Sequence, residues 1–185
     1  TDGYLSETSA NLYDLQVELL FGGAANPMRR RILLLLKQAL ASPSEPYKIL
    51  DVACGTGFTL RLLRAAFPKA NLFGMDLSPA YLRKADRLLT QRLGELPQLL
   101  QANAEELPYQ DNYFQAVTNV FLLHELPAIA RQRVLEECHR VLQPGGTLVI
   151  CDSIQVSDAP ELAPMMEGFA KPFMSPITTS TSKTI

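Results

Sequence analysis

Lys48-Ile49-Leu50-Asp51-Val52-Ala53-Cys54-Gly55-Thr56-Gly57-Phe58 is the most telling stretch of this chain. It reads as a short buried strand that runs into a glycine-containing loop, with a helix over residues 58–67 directly behind it. Strand, glycine turn and helix is the arrangement by which an α/β fold brings backbone N–H groups up to a small ligand. Gly55 and Gly57 can take φ values that other residues avoid, and without a Cβ they let a ligand approach the main chain. Asp51 is the odd residue, a carboxylate among Ile, Leu, Val and Ala that is costly to bury unless something pairs with it.

The loop chemistry narrows the ligand. A dinucleotide fold wants Gly-x-Gly-x-x-Gly, and Leu60 stands at the third position, which argues against NAD. A phosphate-cradling loop needs Gly-Lys-Ser/Thr, and there is no lysine here. Asn71-Leu72-Phe73-Gly74-Met75-Asp76-Leu77-Ser78 reads as a second strand ending in an acid. Asp76 lies about twenty residues beyond the glycine loop, where a ribose-binding carboxylate belongs, and an ionised carboxylate accepts hydrogen bonds from both ribose hydroxyls. The competing role for Asp76 is capping the next helix, which Ser78 followed by Pro79 does better.

The order Asp-x-Ala-Cys-Gly-Thr-Gly resembles the first motif of the class I S-adenosylmethionine (SAM)-dependent methyltransferases. Three further segments extend the resemblance. Gln101-Ala102-Asn103-Ala104-Glu105-Glu106-Leu107-Pro108-Tyr109 looks like the adenine-binding stretch, with Asn103 where many members have Asp. Asp111-Asn112-Tyr113-Phe114-Gln115 opens a fourth strand, with Gln115 in place of the usual Asp, read here as a solvent-side change. Arg140-Val141-Leu142-Gln143-Pro144-Gly145-Gly146-Thr147-Leu148-Val149-Ile150 is a helix end, a Pro-Gly-Gly turn and a fifth strand. The resemblance covers residues 45–155 and is nearest to the small-molecule branch that includes the ubiquinone/menaquinone biosynthesis methyltransferases. It implies SAM as cofactor, S-adenosylhomocysteine as product, and a small-molecule acceptor. Carried onto this sequence, the cofactor-binding residues are Asp51, Ala53, Cys54, Gly55, Gly57, Asp76, Leu77, Asn103, Ala104, Asn119 and Val120, with Asp51 pairing with the SAM ammonium. His124, after the fourth strand, is the candidate catalytic base or pocket residue.

Around these motifs the chain alternates. Strands near 48–53, 71–75, 98–101, 115–121 and 147–152 interleave with helices near 58–66, 79–92 and 128–141, which predicts a Rossmann-like parallel sheet with helices on both faces. Short apolar strands suit a sheet covered on both sides. Two helices, near 12–20 and 28–41, precede the sheet, separated by Phe21-Gly22-Gly23-Ala24-Ala25-Asn26-Pro27. The organisation expected is a helical lid segment over residues 1–45, carrying Tyr4 and Tyr13, a SAM-binding core over 46–155, and a tail over 156–185. The family's sheet ends in a further hairpin, which the tail lacks, so the tail is expected to be truncated or atypical. The fifth strand then becomes an exposed edge, covered by residues 153–185 or by a second copy in a homodimer.

Composition sets outer bounds. A formal net charge of −2 argues against nucleic acid held by electrostatics, and Arg29-Arg30-Arg31 reads as a solvated helix edge. No apolar run is long enough for stable membrane insertion. Cys54, Cys138 and Cys151 are odd in number and form no Cys-x-x-Cys pair, which fits a reducing cytoplasm and neither a disulfide framework nor a zinc site. Methyl transfer from a sulfonium is an in-line displacement that needs positioning and water exclusion, with no metal. The acceptor stays open between a quinone-precursor carbon and a natural-product oxygen or nitrogen. The alternative is a SAM-binding protein that is catalytically weak or inactive for want of the terminal strands.

Overall fold

The computed structural model of this chain describes residues 6–40, 46–91, 95–153 and 161. Two helices come first, α1 (Glu7–Leu20) and α2 (Ala25–Ala39). Then follow β1 (Lys48–Val52), α3 (Phe58–Ala66), β2 (Asn71–Asp76), α4 (Pro79–Thr90), β3 (Gln98–Gln101), β4 (Phe114–Val120), α5 (Ala128–Val141) and β5 (Leu142–Cys151). The strands form one sheet in the order β3-β2-β1-β4-β5, and every pairing is parallel. The chain winds outward from β1 to β3, then crosses back to lay β4 on the other side of β1. Such a reversal opens a crevice at the carboxyl ends of the two strands, the usual ligand position in an open α/β sheet.

Successive side chains of β1 point to opposite faces and enter two separate cores. Ile49 joins Leu60, Leu63 and Leu72 with Ile32 and Leu36 of α2. Leu50 and Val52 join Phe73, Met75, Phe114, Val117 and the α5 residues Val134, Cys138 and Val141. Each fully buried aliphatic or aromatic side chain contributes roughly 1.5–3 kcal/mol, so the sheet's middle strands form a rigid floor for the crevice.

Several element bounds differ from the sequence expectation for local reasons. α1 starts well before the apolar run because Ser6 caps it, accepting from the Ser9 N–H at 3.1 Å. α2 starts at Ala25 and takes Pro27 into its first turn, where a missing N–H costs nothing. The expected Pro-Gly-Gly turn is a bulge within β5: Phe114 pairs with Leu142 but Ala116 already pairs with Thr147. Gln115 is half-buried and not a solvent-side change. Its Oε1 accepts from the Lys48 N–H at 2.8 Å and its Nε2 donates to Gln143 Oε1 at 3.0 Å, tying the start of β1 to the bulge.

Among the described residues β5 is a sheet edge, paired with β4 alone. Its expected cover by residues 153–185 and Tyr4 of the lid fall outside the described residues, apart from Ser153 and Glu161. Among the described residues, no helix is long and apolar enough to cross a membrane.

Candidate active site

The glycine loop leaves β1 through three left-handed residues, Ala53 (φ 57°), Gly55 (φ 54°) and Gly57 (φ 78°). Alanine in this region is uncommon and strained by roughly 1–2 kcal/mol, and its residue type does not announce it. The two glycines turn out to serve different ends. Among the described residues a Cβ on Gly55 would find only Tyr81 within 4 Å, at 3.8 Å, so the space above it is open to a ligand. A Cβ on Gly57 would meet Ala85 Cβ and Leu89 Cδ1 at 3.1 Å, so this glycine lets α4 pack close. Cys54 points away from the crevice into the core, where burial pushes its thiol well above the ordinary range. It is a packing residue.

Asp51 is 1 % exposed and lies in register with Thr118 on β4. Thr118 Oγ1 donates to Asp51 Oδ1 at 2.6 Å, while Asp51 Oδ2 is buried and unpartnered among the described residues. Burial raises the carboxyl to a pKa of about 7, against the Thr118 hydrogen bond and the nearby Arg29 charge. Asn119 beside it donates from Nδ2 to the Val52 carbonyl at 3.2 Å, and among the described residues its Oδ1 is also buried without a partner. Two unsatisfied acceptors thus meet at the carboxyl ends of β1 and β4. Such groups are expensive in a finished interior and mark a place for a donor.

Asp76 ends β2 and reaches back to the loop. Its Oδ2 accepts from the Gly55 N–H at 2.9 Å and its Oδ1 from the Ser78 N–H at 2.9 Å. Burial raises its pKa, and these backbone bonds oppose the shift. Each carboxylate oxygen keeps a second lone pair, so both ribose hydroxyls could still be accepted. Ser78 does cap α4, so Asp76 is not needed for that. Leu77 is exposed next to it. Asn103 and Ala104 follow β3 at the same edge, and Asn103 Oδ1 accepts from the Glu105 N–H at 3.0 Å, leaving its NH2 group outward. Val120 is buried at the end of β4.

The helical segment roofs this edge. Asp14 of α1 accepts from Thr56 Oγ1 in the glycine loop at 2.7 Å, and Lys84 of α4 donates to the Ala10 carbonyl at 2.8 Å. Tyr13 packs edge-on against Tyr81 at 5.4 Å. Arg29 is not part of a solvated edge. It is 4 % exposed, with its guanidinium 5.1 Å from the Phe58 ring centre and 5.2 Å from that of Phe121. Phe121, in a left-handed conformation (φ 60°), stacks on Phe21 at 5.4 Å. A bulky residue in that region is an outlier, here at the rim of the crevice.

His124 sits in a 3-10 turn, Leu123–Glu125, just past β4. Its Nδ1 is 2.6 Å from Asp152 Oδ1 and its Nε2 3.3 Å from Glu125 Oε1. Asp152 follows β5 and is itself held by the Leu123 and Ser153 N–H groups, each at 2.7 Å. Burial alone would lower the imidazole pKa, but the two carboxylates outweigh it and lift it to about 9. His124 is therefore an imidazolium at neutral pH, which counts against its expected use as a base. The second histidine, His139, is exposed on α5.

All the sequence-derived candidates except Cys54 thus gather at one sheet edge, spread from the end of β3 past β2 to β1 and β4. Residues 49–146 match the family model described as a methyltransferase domain. This chain belongs to the class I SAM-dependent methyltransferase family. Among its methyltransferase relatives, the ubiquinone/menaquinone biosynthesis C-methyltransferase of Methylobacterium nodulans is 31 % identical over 162 residues, 87 % of this chain and 62 % of that protein. The demethylmenaquinone methyltransferase of Thermotoga maritima is 34 % identical over 148 residues, 80 % of this chain and 59 % of that protein. The chain therefore spans about three fifths of the length of these curated relatives. A solved structure from Methanococcus maripaludis superposes with a TM-score of 0.68 at 17 % identity, covering 95 % of this chain and 80 % of that one, a likeness of fold.

The residues fit the family's cofactor. SAM brings an ammonium for the orphan oxygen of Asp51, ribose hydroxyls for Asp76, and a body that the open space above Gly55 can admit.

Proposed function

We propose that this chain transfers a methyl group from SAM to a small-molecule acceptor, in the first place a carbon of a quinone precursor. The observation that carries the reading is the unpartnered buried oxygen of Asp51 at the mouth of the glycine loop. The quinone branch is favoured by the names of the two relatives above, both methyltransferases, and nothing in those names favours the inactive alternative.

Bound SAM supplies an electrophilic methyl on a sulfonium, so the leaving group needs no help from the protein. The chain's own task is to position and to dry the site. Asp51 accepts from the ammonium, Asp76 and Leu77 border the ribose, and Asn103 and Ala104 border the adenine. Asn119 and Val120 line the methionine end. Residues 1–45 act as the lid, through the Asp14 bond to Thr56 and the packing of Tyr13. The core spans 46–155 and the tail 156–185. His124, as an imidazolium held by Asp152, orients an acceptor oxygen and steadies negative charge on it, which suits an enolate or phenolate that methylates on carbon. Three free thiols favour a reducing, cytoplasmic setting.

Calorimetry of the full chain with SAM and S-adenosylhomocysteine tests the cofactor. Binding in the micromolar range, about −8 kcal/mol, is expected, and preference for NAD would end the assignment. Incubation with labelled SAM and a demethylated quinol, read by mass spectrometry, tests the acceptor; label on an oxygen or nitrogen of other acceptors but never on the quinol carbon would move the substrate class.

A further inference from the structure

The outer sides of α1 and α2 carry side chains that nothing in the described fold uses. In α1 the buried residue is Ala10. At about 100° per residue, the side facing away from it carries Leu12, Leu15 and Leu19. All three are exposed, Leu19 by 72 %. Two acids of this helix lie off that stripe and are tied to other elements, Glu7 to Arg83 and Asp14 to Thr56 and Lys84.

The second helix adds charge. Its buried stripe, Ala25, Arg29, Ile32 and Leu36, faces the core. Leu34 stands opposite that stripe and is 63 % exposed, with Arg30 and Arg31 one turn earlier on either side of it. The helix holds three arginines, one lysine and no acid, in a chain of net charge −2. Arg30 donates to the neutral amide of Asn26 at 3.1 Å. Among the described residues neither Arg30 nor Arg31 has a carboxylate at ion-pair distance. Val17 of α1 joins the core that holds Ile32 and Leu36, so the two helices form one hairpin around residues 21–24. Leu19 brings the bare stripe almost to that turn, and the arginines begin shortly beyond it.

Exposed apolar side chains gathered on one side mark an interaction surface. The partner has to accept leucines and arginines together. A second copy does not, because a twofold contact through this side sets the arginines of one chain close to those of the other. A nucleic acid neutralises the arginines but leaves the leucines in water. An anionic bilayer takes both, since leucines enter the acyl boundary while arginine heads stay among the phosphates.

We propose that the outer side of the α1–α2 hairpin docks on a membrane surface that carries anionic lipid. The chain lies on the bilayer and does not cross it. Docking sets α1, which roofs the glycine loop through Asp14 and Thr56, against the lipid. The crevice then lies beside the layer that dissolves apolar acceptors. The docking surface is independent of the cofactor reading.

Co-sedimentation of the full chain with vesicles of phosphatidylcholine, alone and with phosphatidylglycerol added, tests the proposal. The parent should bind the anionic vesicles, let go as salt is raised, and bind the neutral ones far less. Arg30→Gln with Arg31→Gln should weaken that binding about 25-fold, at about fivefold per cation. Leu15→Ser with Leu19→Ser should weaken it about tenfold or more. Thermal melts matching the parent's would show that these outward changes spare the fold; should the leucine pair unfold, Leu34→Ser alone gives the same reading. No binding to anionic vesicles, or binding that neither pair weakens, would overturn the proposal. Salt-sensitive binding to a DNA or RNA oligonucleotide in place of vesicles would assign the surface to nucleic acid and overturn it too. So would a dimer, seen by light scattering, that forms without vesicle binding and dissolves in Leu15→Ser with Leu19→Ser.

Discussion

Thr118 and Asp51 share a 2.6 Å hydrogen bond across the β1–β4 seam, and it satisfies only one of the two carboxylate oxygens. The consequence is a pH signature. Burial holds the folded pKa near 7, against an ordinary 3.8. A raised folded pKa means that the native state binds the proton more tightly than the unfolded chain. The stability it contributes is full below about pH 3.8 and is lost as pH rises through about 7. The gap corresponds to on the order of 4 kcal/mol. Ligand-free protein should therefore melt lower at pH 8 than at pH 5, and Asp51→Asn should flatten the difference while costing S-adenosylhomocysteine affinity. Because the ammonium favours the ionised acid, binding at pH 6 should release a proton, seen as a buffer-dependent enthalpy. A pH-independent difference between parent and variant would put Asp51 outside this account.

Asp76→Ala removes the acceptor of the Gly55 and Ser78 N–H groups as well as the ribose partner. Cofactor affinity should fall by about 1.5–3 kcal/mol, as expected for lost bonds to a charged group. Asp76→Asn keeps one oxygen acceptor and should lose less. Calorimetry with S-adenosylhomocysteine decides, and equal affinity in Asp76→Ala and the parent would remove this residue from the ribose site.

The two loop glycines should separate affinity from stability. Gly55→Val strains a left-handed backbone and weakens the domain by ~1–2 kcal/mol, but it meets open space and not a packed helix, and its branched side chain fills the space above the loop, so binding should be lost. Gly57→Ala crowds Ala85 and Leu89 at 3.1 Å in a left-handed backbone, so it should cost stability first, on the order of 1–2 kcal/mol from the backbone alone. Thermal melts beside ligand titrations would show the contrast; a Gly55→Val chain with normal affinity would mean that this loop does not hold the ligand.

The alternation of strands and helices, the glycine loop and the acids at the ends of β1 and β2 were legible because they are local patterns. What escaped was set by distance along the chain or by backbone detail. Gln115 looked solvent-facing, yet it bridges Lys48 and Gln143. The left-handed Ala53 has no residue-type signature. The charge state of His124 depends on Asp152, which the fold brings to it from just past the end of β5. Arg29 is the instructive miss, since a signal was present. Ala25, Arg29, Ile32 and Leu36 are the buried residues of α2, and their spacing of three and four marks one helix face. The arginine run hid the fact that its first member lies on the apolar stripe.

The last prediction concerns that histidine. Two carboxylates hold His124 as an imidazolium up to about pH 9, while its hydrogen-bonded partner Asp152 stays below the ordinary carboxylate range despite burial. The sign follows from a raised folded pKa: the stabilisation from this pair is complete below the ordinary histidine value of 6.5 and disappears as pH rises through about 9. Asp152→Asn removes the stronger of the two anionic partners, so the imidazole midpoint should drop toward neutrality. The chain has only two histidines, so NMR titration of the ring signals is simple, and His124→Gln identifies which signal is which. If the imidazolium steadies an anionic acceptor, kcat/KM should hold through neutral pH and fall above about 9 in the parent. In Asp152→Asn the fall should begin earlier, with S-adenosylhomocysteine affinity unchanged. A His124 midpoint below 7 in the parent, with activity rising as the ring loses its proton, would restore the general-base role and refute this one.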